Sequence, residues 1–138
     1  MNKHLILTSV FAVAASAALQ AQNNIEPLKA SIPFDFVAGQ TTMSAGEYVV
    51  NDVSHPGFVI LKGVGGAANA IVLVNPLRSL NVQTGGKLTF HRYGDVYFLS
   101  EVWRADTSSG SQVRPTRRER ELSAAPGVQR SAAIVAVR

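Results

Sequence analysis

The stretch that decides the fold runs from Lys87 to Trp103 and reads KLTFHRYGDVYFLSEVW. Its centre, Gly94-Asp95, separates two runs rich in aromatic and β-branched residues. Glycine at the first position of a two-residue loop indicates a type II′ hairpin turn. This turn predicts a residue-by-residue pairing of Tyr93 with Val96, Arg92 with Tyr97, His91 with Phe98, and Phe90 with Leu99.

Regular alternation along both strands of this hairpin predicts two faces. One face is expected to carry Leu88, Phe90, Arg92, Tyr97, Leu99, Glu101 and Trp103. The other is expected to carry Thr89, His91, Tyr93, Val96, Phe98 and Val102. Because both faces are mixed and aromatic, we expect the hairpin at the centre of a sandwich or in a barrel wall.

Further strands are predicted on both sides of the hairpin from apolar alternation or short apolar runs between glycine- and proline-containing turns. They are Ala30–Val37, Glu47–Val53, Phe58–Lys62, Ala70–Val74 and Ala132–Val137, with a short extended piece at Thr41–Met43. Asn75-Pro76 is expected to stop the fourth of them. The predicted fold is therefore all-β, a single antiparallel sandwich or barrel-like domain.

One short helix is predicted near the C-terminus. Thr116 and Glu119 have the spacing of a capping box, in which Thr116 caps the helix and Glu119 reaches back to it. The helix is expected from Arg117 to about Ala124, where Pro126-Gly127 follows.

The N-terminus has the pattern of a secretory signal peptide over residues 1–21. A short basic start precedes an uncharged, mostly apolar stretch from Leu5 to Ala18, and small residues lead to a cleavage position after Ala21. We therefore expect a bacterial protein that is periplasmic or secreted and is not integral to a membrane after cleavage. The expected organisation is a single β-rich domain over 22–138, with the main sheet in 28–113 and a basic helix and final strand in 114–138.

Charge is concentrated in the C-terminal part of the chain. The full sequence has 13 Lys+Arg and 9 Asp+Glu, a formal net charge of +4. Residues 114–138 contain six arginines and two glutamates, so the positive charge belongs to this region. Because an exported protein does not meet cellular nucleic acid, we do not expect nucleic acid as a partner, and we expect an anionic component of the cell envelope instead.

Two motifs resemble those of an uncharacterised family of small secreted bacterial β-rich proteins. The first is IPFDFVAG with SAGEYVV between Ile32 and Val50, and the second is HRYGDVYFLSEVW from His91 followed by RREREL from Arg117. The resemblance covers most of the chain after the leader. It implies an exported β-rich domain with no assigned activity.

Motifs for chemistry are sparse. The absence of cysteine excludes disulfides, thiolate metal sites and a cysteine nucleophile. His55 and His91, the histidines beyond the leader, have no metal-ligand spacing, and no nucleophile elbow or phosphate loop occurs. We therefore predict no catalytic residue, cofactor or metal ligand, and a non-enzymatic binding or structural module of the envelope.

Two alternative functions remain open. One is a small-ligand carrier whose apolar cavity would be lined by Phe34, Phe36, Phe90, Phe98 and Trp103. The other is a small hydrolase using Glu101, Asp35 or His91. For the binding module, the candidate surface for a ligand or partner combines aromatic and arginine side chains, namely Arg92, Tyr97, Trp103, Arg117, Arg118 and Arg120.

Overall fold

The computed structural model describes residues 27–52, 57–66 and 68–137. The predicted signal peptide and His55 lie outside these residues. The elements are β1 (Leu28–Ile32), β2 (Phe36–Ala38), β3 (Thr41–Met43), β4 (Gly46–Asn51), β5 (Phe58–Gly63), β6 (Asn69–Arg78), β7 (Lys87–Tyr93), β8 (Val96–Trp103), β9 (Ser109–Val113), α1 (Arg117–Ala124) and β10 (Arg130–Ala136). The all-β class with one short helix is confirmed.

The strands form one continuous, largely antiparallel sheet. Its main path is β1-β4-β5-β6-β9-β8-β2-β3, and β7 joins β8 to β10. The β2–β8 contact is parallel, with Val37 paired to Phe98. An isolated bridge between Ala30 and Val137 links β1 to the residue after β10, so the first and last strands in chain order approach each other.

The hairpin register is confirmed near the turn. Tyr93 pairs with Val96, and Phe90 pairs with Leu99. Gly94 has a φ of +60°, the sign that the first central position of a type II′ turn requires. Local turn chemistry therefore sets this pairing.

The predicted faces are wrong beyond Leu99, because a β-bulge lies there. Phe90 pairs with Leu99, but Thr89 pairs with Glu101, so Ser100 is the extra residue. A bulge reverses the alternation of a strand. Leu99 and Val102, three positions apart, are consequently both in the main core, and Glu101 and Trp103 leave the face that was predicted for them.

Two predicted strands differ because of proline. The single strand over Ala30–Val37 is divided into β1 and β2, and Pro33 lies in the break. Asn75-Pro76 does not stop the fourth strand, since β6 continues to Arg78. Beyond Leu73, β6 leaves β5 and pairs with β9, so Pro76 lies where its missing N–H removes no β5–β6 hydrogen bond.

The core is built from inward-facing residues of nearly every strand. Phe36 lies at its centre, with its ring edge-to-face at 5.3 Å from Tyr48 and at 5.4 Å from Phe90. These rings are essentially inaccessible to solvent. Because aromatic pairs favour this edge-to-face geometry, the three rings join β2, β4 and β7 within the core.

The C-terminal elements follow the prediction closely. α1 spans Arg117–Ala124, and the Thr116 hydroxyl accepts a hydrogen bond from the Glu119 N–H. β10 lies antiparallel to β7, with Ile134 opposite Thr89. The final segment therefore completes the sheet beside the hairpin and places α1 against its outer face.

Candidate functional site

Helix α1 is seated on the outer face of the β7–β8 hairpin. Leu122 of the helix and Val128 after it pack against a small buried cluster formed by Val37, Tyr93 and Phe98. Leu122 is the one large apolar residue within α1. An eight-residue helix with so little apolar surface needs additional contacts to hold its position.

Those contacts come from a polar network, which we call the clamp: Ser100, His91, Tyr93 and Glu119. Glu119 Oε1 lies 3.2 Å from His91 Nδ1 and accepts a hydrogen bond from the Tyr93 hydroxyl at 3.3 Å. The other ring nitrogen of His91, Nε2, lies 3.1 Å from Ser100 Oγ. The Glu119 carboxylate is therefore directed at the sheet, whereas the sequence predicted that it would reach back to Thr116.

Chemistry assigns the protons in the clamp. An ionised carboxylate only accepts, so His91 Nδ1 carries a proton toward Glu119. When the imidazole carries only that proton, Nε2 accepts a hydrogen bond from the Ser100 hydroxyl. Burial raises the pKa of Tyr93, and the nearby Glu119 carboxylate raises it further, while Arg130 acts in the opposite direction. Tyr93 is thus a stable hydrogen-bond donor to Glu119 at neutral pH.

The order hydroxyl–imidazole–carboxylate is also the order used by serine hydrolases. A nucleophile must be reached by the carbonyl carbon of a substrate. Ser100 is only 5% exposed, and Glu119 is 6% exposed beneath the helix. Both groups are therefore buried, and their contacts through His91 join α1 to the sheet.

The sequence pattern did not predict Ser100 and Glu119 as partners of His91. The spacing of Leu99 and Val102 is the signal that could have located the bulge, since a regular strand cannot bury both on one face. No comparable signal exists for the contact between His91 and Glu119, which are 28 positions apart.

The clamp leaves Arg117 and Arg120 on the side of α1 away from the sheet, whereas Arg118 lies along the edge of the contact, beside Phe98. Arg117 has an 88% exposed side chain and pairs with Glu121 at 2.9 Å. Arg120 is exposed, and the guanidinium of Arg118 lies 5.8 Å from the centre of the Phe98 ring. Within the described residues, no ion pair involves Arg118 or Arg120. Two guanidinium groups are therefore available to an anion without breaking an existing pair.

Arg92 and Tyr97 lie beyond the helix at the turn end of the hairpin. The Tyr97 ring stacks on Phe34 with 3.9 Å between the ring centres, and the Arg92 guanidinium lies 5.4 Å from the centre of the Tyr97 ring. Arg92 Nε also donates to the Gly94 carbonyl at 2.6 Å. These contacts hold Arg92 near the turn while its side chain stays 46% exposed.

Trp103, in contrast, is placed apart from the predicted surface. It is 6% exposed, and its Nε1 donates to Glu101 at 2.8 Å. A Cβ on Gly110 would come within 2.6 Å of the ring, so the ring rests directly on that glycine. Trp103 therefore packs the β8–β9 contact and offers little surface to a ligand.

The structure separates the residues that each of the two alternative functions would need to have together. For the hydrolase, Asp35 accepts from the Ala45 N–H, Glu101 binds Trp103, and His91 belongs to the clamp. For the carrier, Phe34, Phe36 and Phe90 contact the main core, Phe98 belongs to the outer cluster, and Trp103 rests on Gly110. No described group of three His, Asp or Glu side chains is arranged to hold a metal ion.

Several surface cavities border the arginines. One of about 340 Å³ is lined in part by Arg117 and Arg118, and another of about 180 Å³ contains Arg118 with Asp35 and Asp95. A third, of about 460 Å³, contains Arg92 and Arg130. The side of the molecule that carries these arginines is thus grooved.

Comparisons with known proteins give no match among protein-family models, curated proteins or solved structures. The resemblance to the secreted β-rich family consequently stays a prediction. Among the described residues, no helix has the length and apolar character needed to cross a membrane.

Proposed function

We propose that this protein is an exported, non-enzymatic β-domain that binds an anionic component of the bacterial cell envelope through the arginines around α1. The signal-peptide pattern over residues 1–21 supports export. We further propose that the sheet is barrel-like, since the bridge between Ala30 and Val137 brings its first and last strands together.

The observation that carries the binding proposal is the way α1 is held. Glu119 and Leu122 face the sheet, which leaves Arg117 and Arg120 on the opposite side of the helix. Arg118 flanks them above Phe98. A rigid helix that presents arginines in a fixed position loses little conformational freedom when it binds a charged surface.

The expected strength follows from the charges. Each unpaired arginine near an anionic surface contributes about 1 kcal/mol, so Arg118 and Arg120 contribute about 2 kcal/mol, or roughly thirtyfold in affinity, and Arg117 adds less because it is paired with Glu121. The interaction is expected to weaken as salt is raised, because exposed charges are screened.

The test is binding to vesicles of phosphatidylglycerol, with vesicles of phosphatidylcholine for comparison. The triple variant Arg117→Gln, Arg118→Gln, Arg120→Gln should lose most of the affinity for the anionic vesicles. The matched control removes three exposed charges elsewhere, at Lys29, Lys62 and Arg78. Equal losses in the two triple variants, or no preference for anionic vesicles in the unmodified protein, would refute the proposal.

The non-enzymatic part of the proposal has its own test. The unmodified protein is incubated with a panel of ester and amide substrates and with a fluorophosphonate probe for reactive serines. We expect no turnover and no labelled Ser100. Turnover that disappears in Ser100→Ala or His91→Gln would make the clamp a reaction centre.

A further inference from the structure

The edge of β10 that faces away from β7 is largely unpaired. The first edge of β10 pairs with β7 along the whole strand, in a register that ends with Ala136 opposite Lys87. Among the described residues, the other edge is joined to a neighbouring strand only by the isolated bridge between Val137 and Ala30. The seam between β1 and β10 is therefore closed at one end and open along the residues that precede it.

The register with β7 shows which main-chain groups point to this open edge. The Val137 N–H donates to the Gly86 carbonyl at 3.1 Å, on the β7 side. In an antiparallel ladder, residues that bond to one neighbouring strand alternate with residues whose N–H and C=O point the other way. The pairing with β7 has no interruption, so this alternation continues back along β10. The residues that direct main-chain groups to the open edge are Arg130, Ala132 and Ile134.

The open edge also lacks the features that keep other strands away. Native proteins protect free edges with charged side chains, proline, bulges or very short strands. The edge strand β1 carries Lys29, and β3 has only three residues. From Ser131 to Ala136, β10 has only small and aliphatic side chains after a single hydroxyl, and Ile134 among them is 65% exposed. Such an edge is a template for pairing with another strand.

We propose that this edge pairs with the same edge of a second copy of the chain, in a two-fold symmetric dimer. The proposal does not rest on the proposed function. A strand that pairs antiparallel with its own copy gives a self-complementary, closed interface. With the two-fold axis at Ala132, the three residues with open main-chain groups lie opposite one another, and each opposed pair exchanges two hydrogen bonds. An axis nearer to Val137 would bring the partner strand against β1.

The side chains are compatible with this register. Ala132 lies opposite the partner's Ala132, and Ser131 lies opposite the partner's Ala133, so only small side chains meet at the axis. Arg130, the one charged residue of the pairing segment, lies opposite the partner's Ile134. The Cα atoms of the two Arg130 residues are then about 14 Å apart, since a strand rises about 3.4 Å per residue. Because the contact is small, we expect a weak and transient dimer.

The test is sedimentation equilibrium of the protein between about 10 μM and 1 mM, over which the average mass should rise toward that of two chains. Ala132→Lys, at an exposed position, places two like charges opposite each other at the axis and should raise the dimer Kd about fivefold. The matched control is Leu80→Lys, which adds the same charge to a fully exposed side chain in the loop before β7 and should leave the Kd unchanged.

A cysteine at the axis tests the register. The chain has no cysteine, so Ala132→Cys places one thiol of each copy beside the other, and a short bismaleimide should crosslink them while Leu80→Cys stays uncrosslinked. Melting curves should change little in all four variants, because both positions are exposed. Equal effects of the substitutions at the two positions would overturn the proposal. A monomer at every concentration would also overturn it, and would leave the edge to a strand of another protein.

Discussion

Replacing Glu119 by alanine tests whether the clamp holds α1 on the sheet. The change removes the acceptor of the Tyr93 hydroxyl and the partner of His91 Nδ1, both beneath the helix. A hydrogen bond to a buried charged group contributes about 1.5 kcal/mol, so the loss should be about 3 kcal/mol. For a domain of this size that lowers Tm by about 12 °C.

The matched control is Glu121→Ala, two positions away on the same helix. Glu121 is 65% exposed and pairs only with the exposed Arg117, so its loss should be about 0.5 kcal/mol or less. Urea unfolding followed by the fluorescence of Trp103, the one tryptophan, measures both variants. If Glu119→Ala and Glu121→Ala destabilise the protein equally, the clamp does not hold the helix.

Three further predictions concern other contacts. Arg104→Gln breaks the bidentate pair between Arg104 and Asp52, in which the two side chains are 16% and 8% exposed, and should reduce the free energy of unfolding by about 3 kcal/mol. Urea unfolding measures this change, and the control variant Arg114→Gln, at an exposed arginine, should show little change. An equal change in the two variants would contradict the expectation. The raised pKa of Tyr93 keeps it protonated in the folded state while unfolded tyrosine ionises, so stability should fall as pH rises above 10.0, and less steeply in Tyr93→Phe; parallel curves for both proteins between pH 8 and 11 would contradict this. Deleting residues 132–138 removes most of β10 and exposes the edge of β7, so calorimetry should show Tm lower by about 10 °C, whereas an unchanged melting curve would mean that β10 contributes little.

Local sequence rules account for the turn, the helix and most strand positions. Gly94 sets the hairpin turn and Thr116 begins α1, because each acts on residues within a few positions along the chain. The apolar runs beginning at Phe58 and Ala70 became paired strands for the same reason. These strands can be predicted from the side-chain pattern and the turn residues alone.

The faces of the hairpin beyond Leu99 required the tertiary structure. In a regular strand, Leu99 and Val102 would point to opposite faces. The bulge at Ser100 shifts the alternation by one residue, so both side chains are buried in the core. The continuation of β6 through Pro76 likewise depended on which strand lies beside it. In both cases packing overrode a local rule.

The amino-acid sequence alone determined the all-β class, the position of the arginine-bearing helix and its neighbouring final strand. Only the tertiary structure decided that Glu119 would meet His91 and Tyr93, and that Arg92 and Arg130 would share one cavity. The physical reason is distance along the chain: local preferences act over a few residues, whereas these contacts join segments that meet only after the sheet has formed and the helix has packed on it.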